Sequence, residues 1–435
     1  MSAVVHAHHY LRSDDFIAYA VLRVENGKIA NRRGPRSEAA NECVTNLKPR
    51  KSTVLRFVIL IGVVNLFADL TYEGARSITG PFLAQLGATA AIISIVSGAG
   101  EFAGYSLRAV AGYVADKTGR YWALTCLGYA INLLAVPDLA LAGNWPAAAC
   151  LIAAERTGRA IRRPIVQGML SHAKDQVGGG RAFGINESLD ALGATIGPLV
   201  VALVIAWRGD YRLGFAVLLC SALAALGLLV VVRRRYPNPR AFESAPPGHP
   251  TRLPSSYWWF VGAGALIGFG FVDFSLIAFH FQKTGTLQGS LIPMSYAVAM
   301  GAGAAANFLL GDLYDRVGFP VLIGAFVLGA LFTPLVFFGP AASAWVGMAL
   351  WGISKGAQDT LLKPAIAPLI APSRRTTAFG IFDTCFGTAW LAGSIAFGLL
   401  YDKSLPWLVS VSVAGQLLSL PLFFAGRTAS QTERR

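Results

Sequence analysis

The sequence predicts an all-α polytopic membrane protein in which twelve transmembrane helices form two pseudo-symmetric six-helix bundles. Composition is the first reason: 54% of the 435 residues are hydrophobic and only 14% charged, too apolar for a soluble multidomain chain or a disordered one. The second is length, because about 20 largely apolar residues cross about 30 Å of hydrocarbon, and the chain offers such stretches one after another. The third is an internal repeat, in which short motifs recur in the same order at offsets of about 200 residues.

The apolar stretches fall near 54–78, 89–114, 121–142, 146–168, 182–207, 213–232, 257–280, 290–312, 319–340, 343–366, 377–400 and 406–425. Residues 1–53 precede them and show neither sustained helical periodicity nor a core, so they read as a basic, solvated tail. His6, His8, His9, Asp14 and Asp15 interrupt what a signal peptide would need as its apolar segment. Residues 233–256 (RRRYPNPRAFESAPPGHPTRLPSS) are basic and proline-rich and read as a linker between bundles at 54–232 and 257–425. Residues 426–435 form a second short tail.

Charge placement sets the orientation. With the N-terminus inside, the inner segments hold Lys117, Arg120, Lys174, Arg181, Arg233 to Arg235, Arg316, Arg374 and Arg375, while the outer loops hold little beyond Arg208, Arg212, Lys283 and Lys403. The positive-inside rule then puts both termini in the cytoplasm. The net charge of +14 is thus topological, with basic residues flanking apolar runs rather than forming a stripe for nucleic acid. Cys43, Cys126, Cys150, Cys220 and Cys385 are scattered without metal-ligand or disulfide-framework spacing, and no Walker loop is present. Neither a metal nor a cofactor is expected.

The halves repeat one another. Gly112-Tyr-Val-Ala-Asp116-Lys117-Thr-Gly119 returns as Gly311-Asp-Leu-Tyr-Asp315-Arg316-Val-Gly318, each between the second and third span of its half. Ala182-Phe-Gly-Ile185 returns as Ala378-Phe-Gly-Ile381, Arg163-Pro164 as Lys363-Pro364, and Phe67-Ala-Asp69 as Phe271-Val-Asp273. In transporters such duplication places a substrate path between the halves.

These residues resemble the major facilitator superfamily of secondary transporters, and within it the bacterial exporter-like branch. GYVADKTGR, Gly112 to Arg120, looks like the superfamily's signature between its second and third helices. ERTGRAIRRP, Glu155 to Pro164, and RAFGINESLDALGATIGP, Arg181 to Pro198, resemble the fourth and fifth helices of that branch. The resemblance covers about residues 54–425 and implies two bundles that rock about a central cavity in a bacterial inner membrane, with a small organic solute and protons as partners besides the lipid bilayer. Gly193, Gly197 and Pro198 form its exporter-type helix motif, although Leu199 to Val201 stand where the branch often has more glycine. The second signature copy has Phe319 where the first has Arg120, which implies a weaker cytoplasmic latch there.

Each motif also has a physical reading. Asp116 lies near the C-terminal end of its helix, where the macrodipole disfavours an anion, so it calls for a cation or another helix's N-terminus; a tight basic turn that only fixes topology is the other reading. Gly193-x-x-x-Gly197 permits close helix approach, and Pro198 removes a backbone hydrogen bond.

Ionisable residues at membrane depth cost about 2.5 to 3.5 kcal/mol each on insertion scales and should face the bundle interior or a wet cavity. At 1.5 Å per residue, Asp69 and Asp273 lie about 22 to 24 Å along their helices, at matching depths. Asp69, Glu73 and Arg76 share a helical face, with Glu101 on the second span and Asp190 on the fifth. Aligning Arg163-Pro164 with Lys363-Pro364 sets Glu155 opposite Lys355 and Arg159 opposite Asp359. Each helix then carries an i, i+4 pair of reversed polarity that either neutralises itself or serves the cavity. Glu187 and Asp383 correspond as gate or cavity acids. Trp258, Trp259 and His280 read as interfacial residues. Together these features predict a proton-coupled exporter rather than an enzyme, with protonation of Asp69, Glu73 or Asp190 biasing exchange; uptake by symport and a lipid-modifying membrane enzyme are the rival readings.

Overall fold

The computed structural model describes residues 51–177, 179–237, 253–370 and 375–433. The tail at 1–50, the middle of the linker and the Asp116 side chain lie outside the described residues. The chain divides into units Met1–Phe57 and Val58–Arg435, and the described structure of both is helical.

The first half supplies α1 (Lys51–Gln85), α2 (Ala90–Thr118), α3 (Tyr121–Asp138), α4 (Trp145–Val177), α5 (Gly179–Arg208) and α6 (Tyr211–Arg235). Their ends follow local chemistry. The Thr89 side chain accepts the Ile92 N–H at 3.3 Å to open α2, and Gly119, at φ 66°, closes it by donating to the Ala115 carbonyl at 2.9 Å. Asp210 caps α6 through the Arg212 N–H at 2.8 Å.

In the second half two of the expected continuous spans are broken. The seventh consists of α7 (Ser255–Gly270) and α8 (Phe274–Thr284), separated by extended residues at Phe271 to Asp273. Glycines 262, 264, 268 and 270 weaken the helix here, and side chains from other helices satisfy the freed backbone. Ser412 Oγ donates to the Gly270 carbonyl at 2.6 Å and Trp351 Nε1 to that of Val272 at 2.9 Å, while Asp273 caps α8 by accepting the Ser275 N–H at 2.9 Å. The ninth span is α9's neighbour in sequence: after α9 (Leu291–Val317) come α10 (Phe319–Ala330) and α11 (Phe332–Phe338), parted at Leu331 because Pro334 has no N–H for the Ala330 carbonyl. Then α12 (Ala341–Ile366), α13 (Arg375–Tyr401) and α14 (Leu405–Glu433) complete the order, α14 running through most of the expected tail.

Among the described residues, ten helices or broken helices are long and apolar enough to cross a membrane. The two long helices outside that set, α4 and α12, are those that carry Glu155, Arg159, Lys355 and Asp359. The charges that make them functionally interesting are what lower their hydropathy.

Packing is close enough to involve backbone. A Cβ on Gly193 would collide with the Leu66 carbonyl, and one on Gly197 with that of Leu70, so α5 lies directly on α1. The second half repeats the device 200 residues later, where Gly393 of α13 abuts the Phe269 carbonyl of α7. Between halves, α2 packs along α13 and α5 along α9. At the end remote from Lys117 and Arg316, Gly80 abuts the Ser275 carbonyl and Gly398 sits against Ala91 and Ser94. Toward the end bearing those basic residues, Gly104, Gly112 and Gly184 have no neighbour within 4 Å of an added Cβ.

Alanine at Gly193 or Gly393 should therefore destabilise the detergent-solubilised protein by about 1 to 3 kcal/mol, whereas Gly104→Ala should be neutral or slightly stabilising. Thermal unfolding of the three variants checks this; equal losses at all three sites would contradict the backbone-contact account.

Candidate functional site

The polar residues of α1 and α4 form facing stripes. On α1, Asn65, Asp69, Tyr72 and Arg76 recur at helical spacing with Glu73 beside them; on α4, Glu155, Arg156, Arg159, Arg162 and Arg163 do the same. Because the two helices are antiparallel, acids and arginines meet as successive rungs. Asp69 Oδ1 lies 2.9 Å from Arg162 Nη2, and Glu73 Oε1 3.4 Å from Arg159 Nη2. One turn further, Glu101 of α2 takes the acid's place, with Oε1 at 3.2 Å from Arg156 Nη1 and 3.0 Å from Arg76 Nη2. Those two N–H groups are not aimed at the Glu101 oxygen in hydrogen-bond geometry, so this rung is held by charge alone.

Arg76 carries the ladder into the second half. Its Nη2 donates to Asp273 Oδ2 at 2.7 Å, and the two side chains are only 4% and 1% exposed. Tyr296 of α9 makes a second crossing, its hydroxyl donating to Glu73 Oε2 at 2.6 Å. Aromatic faces cover the guanidinium groups: Arg159 lies 3.7 Å and Arg156 4.8 Å from the Tyr72 ring centre, and Arg162 4.7 Å from that of Tyr129.

Amides complete the network. Asn132 of α3 donates to Glu155 Oε1 at 2.7 Å and accepts from Arg162 Nε at 3.0 Å. Asn65 donates to Asn186 Oδ1 at 2.7 Å and accepts from Arg162 Nη1 at 3.2 Å and from the Tyr129 hydroxyl. Asn186 in turn donates to Asp190 Oδ2 at 3.2 Å. An unbroken chain of polar contacts thus runs from Asp190 on α5 to Asp273 beside α8. Against its basic-end side lies a narrow, partly open cleft walled by Asn65 and Asp69 of α1, Arg162, Arg163, Val166 and Gln167 of α4, and Asn186 and Asp190 of α5.

Sequence spacing therefore brings Asp69, Glu73, Arg76, Glu101, Glu155, Arg159, Asp190 and Asp273 into one neighbourhood. Several expected pairings differ. Arg76 leaves Asp69 and Glu73 to other arginines and serves Glu101 and Asp273 instead. Glu155 and Arg159 do not form their i, i+4 pair: Glu155 turns to Asn132 and lies 3.4 Å from Arg156 Nε, while Arg159 is taken by Glu73. On α12, by contrast, Lys355 and Asp359 do pair within the helix at 2.6 Å, and Lys363 pairs with Asp383 of α13 at 3.0 Å. Glu187 is exposed, and His280 is buried, sharing a hydrogen bond of 3.0 Å with the Tyr401 hydroxyl. The residues that motif reading passed over are Arg156, Arg162, Tyr72, Tyr129, Tyr296, Asn65, Asn132 and Asn186. For the arginines the signal was present, since three or four cations at helical spacing inside a membrane span demand partners.

At the basic end, Lys117 and Arg120 are exposed, with Lys117 Nζ 5.8 Å from the Tyr113 ring centre. Arg316 pairs with Asp312 at 2.8 Å within its own helix, both partners largely exposed, rather than with Asp315. Gly112 and Gly311 lie in helix; Gly119 and Gly318 both have positive φ and end their helices.

Sequence and structure comparisons agree with this architecture. Residues 61–394 match the Major Facilitator Superfamily. The uncharacterized proteins Rv2265 of Mycobacterium tuberculosis and Mb2288 of Mycobacterium bovis are each 40% identical over 380 residues, covering 86% of this chain and 93% of theirs. A variant of the nucleoside transporter NupG superposes with a TM-score of 0.69 at 12% identity, over 86% of this chain and 99% of that one. A bacterial homolog of the human lysosomal transporter Spinster, inward-facing and occupied, gives 0.63 at 16% identity over 88% and 98%, and the sulfate-bound peptide transporter POT 0.67 at 13% over 86% and 95%. The chain is a multi-pass membrane protein and belongs to the Major Facilitator Superfamily.

Proposed function

We propose that this transporter moves a small organic solute by alternating access and couples the movement to protons, in the direction of export. The observation that carries this reading is the arginine–acid ladder crossing from one half to the other at Arg76–Asp273. A buried ion pair between helices of different halves is stable only while both halves hold it, and separation leaves each charge to find a new partner or water. Such a contact has two discrete arrangements, which alternating access requires.

The moving bodies are the six-span units at 54–232 and 257–425, joined by the linker at 233–256, with the basic end and both termini in the cytoplasm of the inner membrane. In the state described, the halves pack closely toward the outer end at Gly80 and Gly398, which supports reading it as inward-facing. The signature around Asp116, Lys117 and Arg120, with its repeat at Asp315 and Arg316, serves as the latch of the opposite state. Export is the proposed direction because α5 carries the exporter-type Gly193, Gly197 and Pro198 packed on α1.

Proton coupling follows from charge balance. Within the ladder five carboxylates, Asp69, Glu73, Glu101, Glu155 and Asp273, face four guanidinium groups, Arg76, Arg156, Arg159 and Arg162. One carboxylate is in excess in a low-dielectric setting, where an uncompensated anion is costly and a proton removes the cost. Asp69 and Asp273 have close guanidinium partners, Glu101 has two, and Glu73 has Arg159 and Tyr296. Among the described residues Glu155 has the neutral Asn132 amide at 2.7 Å and, as its cation, the 3.4 Å approach of Arg156, whose Nε is not aimed at it. Within the ladder this geometry supports Glu155 as the proton-carrying group in place of Asp69 or Glu73, two of the three acids, with Asp190, that the sequence suggests.

Two outcomes are expected. Epitope tags at residues 245 and 435 should be cytoplasmic and one at residue 286 external; an external tag at 245 would overturn the two-bundle topology. In a cysteine-free background, alkylation of Gly104→Cys in proteoliposomes should vary with pH, and Glu155→Gln should abolish that variation while Asp69→Asn retains it. Unaltered pH dependence in Glu155→Gln would remove that residue from the coupling.

A further inference from the structure

The cleft beside the ladder holds two charges that the ladder does not use. Asp190 on α5 receives one hydrogen bond, from Asn186 to Oδ2, while its Oδ1 is enclosed and has no partner. Arg163 on α4, unlike Arg162 next to it, enters no ion pair or hydrogen bond among the described residues. The exposed Glu187, one turn before Asp190, is near enough to act on Arg163 without forming an ion pair with it.

The remaining wall is electrically neutral. Asp69 and Arg162 cancel one another at 2.9 Å, Asn65 and Asn186 are tied together, Gln167 offers a free amide, and Val166 is the single apolar lining residue. An occupant bearing only a positive charge would satisfy Asp190 and leave Arg163 with no closer counter-charge than the exposed Glu187; one bearing only a negative charge would satisfy Arg163 and leave Asp190 unpaired. A small molecule with both charges a few ångströms apart satisfies each wall and brings no net charge into the membrane interior.

From this geometry we infer that the cleft binds a small zwitterionic solute of the α-amino-acid type, its ammonium group on Asp190 and its carboxylate on Arg163. The inference rests on the transporter reading and narrows it, since it names the chemistry of the cargo. The amides of Asn65, Asn186 and Gln167 supply further polar contacts.

The test uses the full-length protein in detergent and three matched sets of probes: the free α-amino acids, their methyl esters, which keep only the positive charge, and their N-acetyl derivatives, which keep only the negative one. At least one free amino acid should raise the Tm in a concentration-dependent manner, with its ester and its N-acetyl form at least tenfold weaker. Asp190→Asn and Arg163→Gln should each weaken binding of the free amino acid at least tenfold. In Arg163→Gln the ester should become the better ligand relative to its N-acetyl counterpart, and in Asp190→Asn the preference should reverse. Binding of an ester or N-acetyl form as tight as that of the free amino acid would overturn the inference, as would the absence of stabilisation by any of them. Alkylation of Gly104→Cys across pH, measured on the same preparations, separates the two claims: retained pH dependence without amino-acid binding rejects the cargo alone, and loss of both rejects the transporter reading on which it rests.

Discussion

An arginine in the interior of a membrane protein has to be paired, and most of the arrangement around α1 and α4 follows from that constraint. Four arginines at helical spacing would prevent α4 from inserting alone at reasonable cost. Against the acid-bearing face of α1 they become the rungs of a ladder, at 2.9 Å for Asp69–Arg162 and 3.4 Å for Glu73–Arg159. Tyr72 and Tyr129 then cover the guanidinium planes, and Asn65, Asn132 and Asn186 take up the N–H groups and lone pairs that ion pairing leaves over. Removing one rung would leave a buried charge opposite, so the ladder holds α1, α3, α4 and α5 in register as effectively as the glycine contacts at Gly193 and Gly197 do.

The two halves share a helix pattern but divide the chemistry unequally. The first half places its charges on the ladder; the second fills the corresponding space with aromatic rings, Phe271, Phe274, Tyr296, Trp351 and Trp390, packed at ring-centre distances of 4.3 to 6.2 Å. Among the described residues, Asp273 and the Tyr296 hydroxyl make the polar contacts that reach across. Asp273 can do so because the seventh span is broken there. Its other oxygen caps α8, which fixes the carboxylate for Arg76. A stiff aromatic body on one side and a charge-rearrangeable one on the other is a division suited to a movement in which one half supplies the anchor and the other the response.

Much of the architecture is legible in the sequence because apolar length and repeated motifs are direct consequences of crossing a bilayer many times in two related halves. The correspondence of Asp69 with Asp273, or of Arg163-Pro164 with Lys363-Pro364, can be read without coordinates. Membrane depth is legible too, since 1.5 Å per residue places Asp69, Glu101 and Asp273 at similar levels. What does not follow from spacing is partner choice. Glu155 and Arg159 are positioned for an intrahelical pair, yet the facing stripe of α1 offers Arg159 a better acid in Glu73, and Asn132 claims Glu155. Lys355 and Asp359 have no such competitor and do pair as their spacing suggests. The break at Phe271 was hidden for a similar reason: glycine permits it, but Ser412 and Trp351, far away in sequence, are what make it tolerable.

The central claim is that the Arg76–Asp273 crossing holds one of two interconverting states. Pulsed electron paramagnetic resonance distances between spin labels at Gln85 and Gln288, on exposed positions at the end remote from Lys117, and between labels at Lys117 and Arg316 at the opposite end, test it most directly. Two distance populations are expected in each pair, one lengthening as the other shortens, with Arg76→Gln shifting the weights toward separation of residues 85 and 288. A single distance at each end, unchanged by Arg76→Gln in a protein that remains folded, would contradict the account.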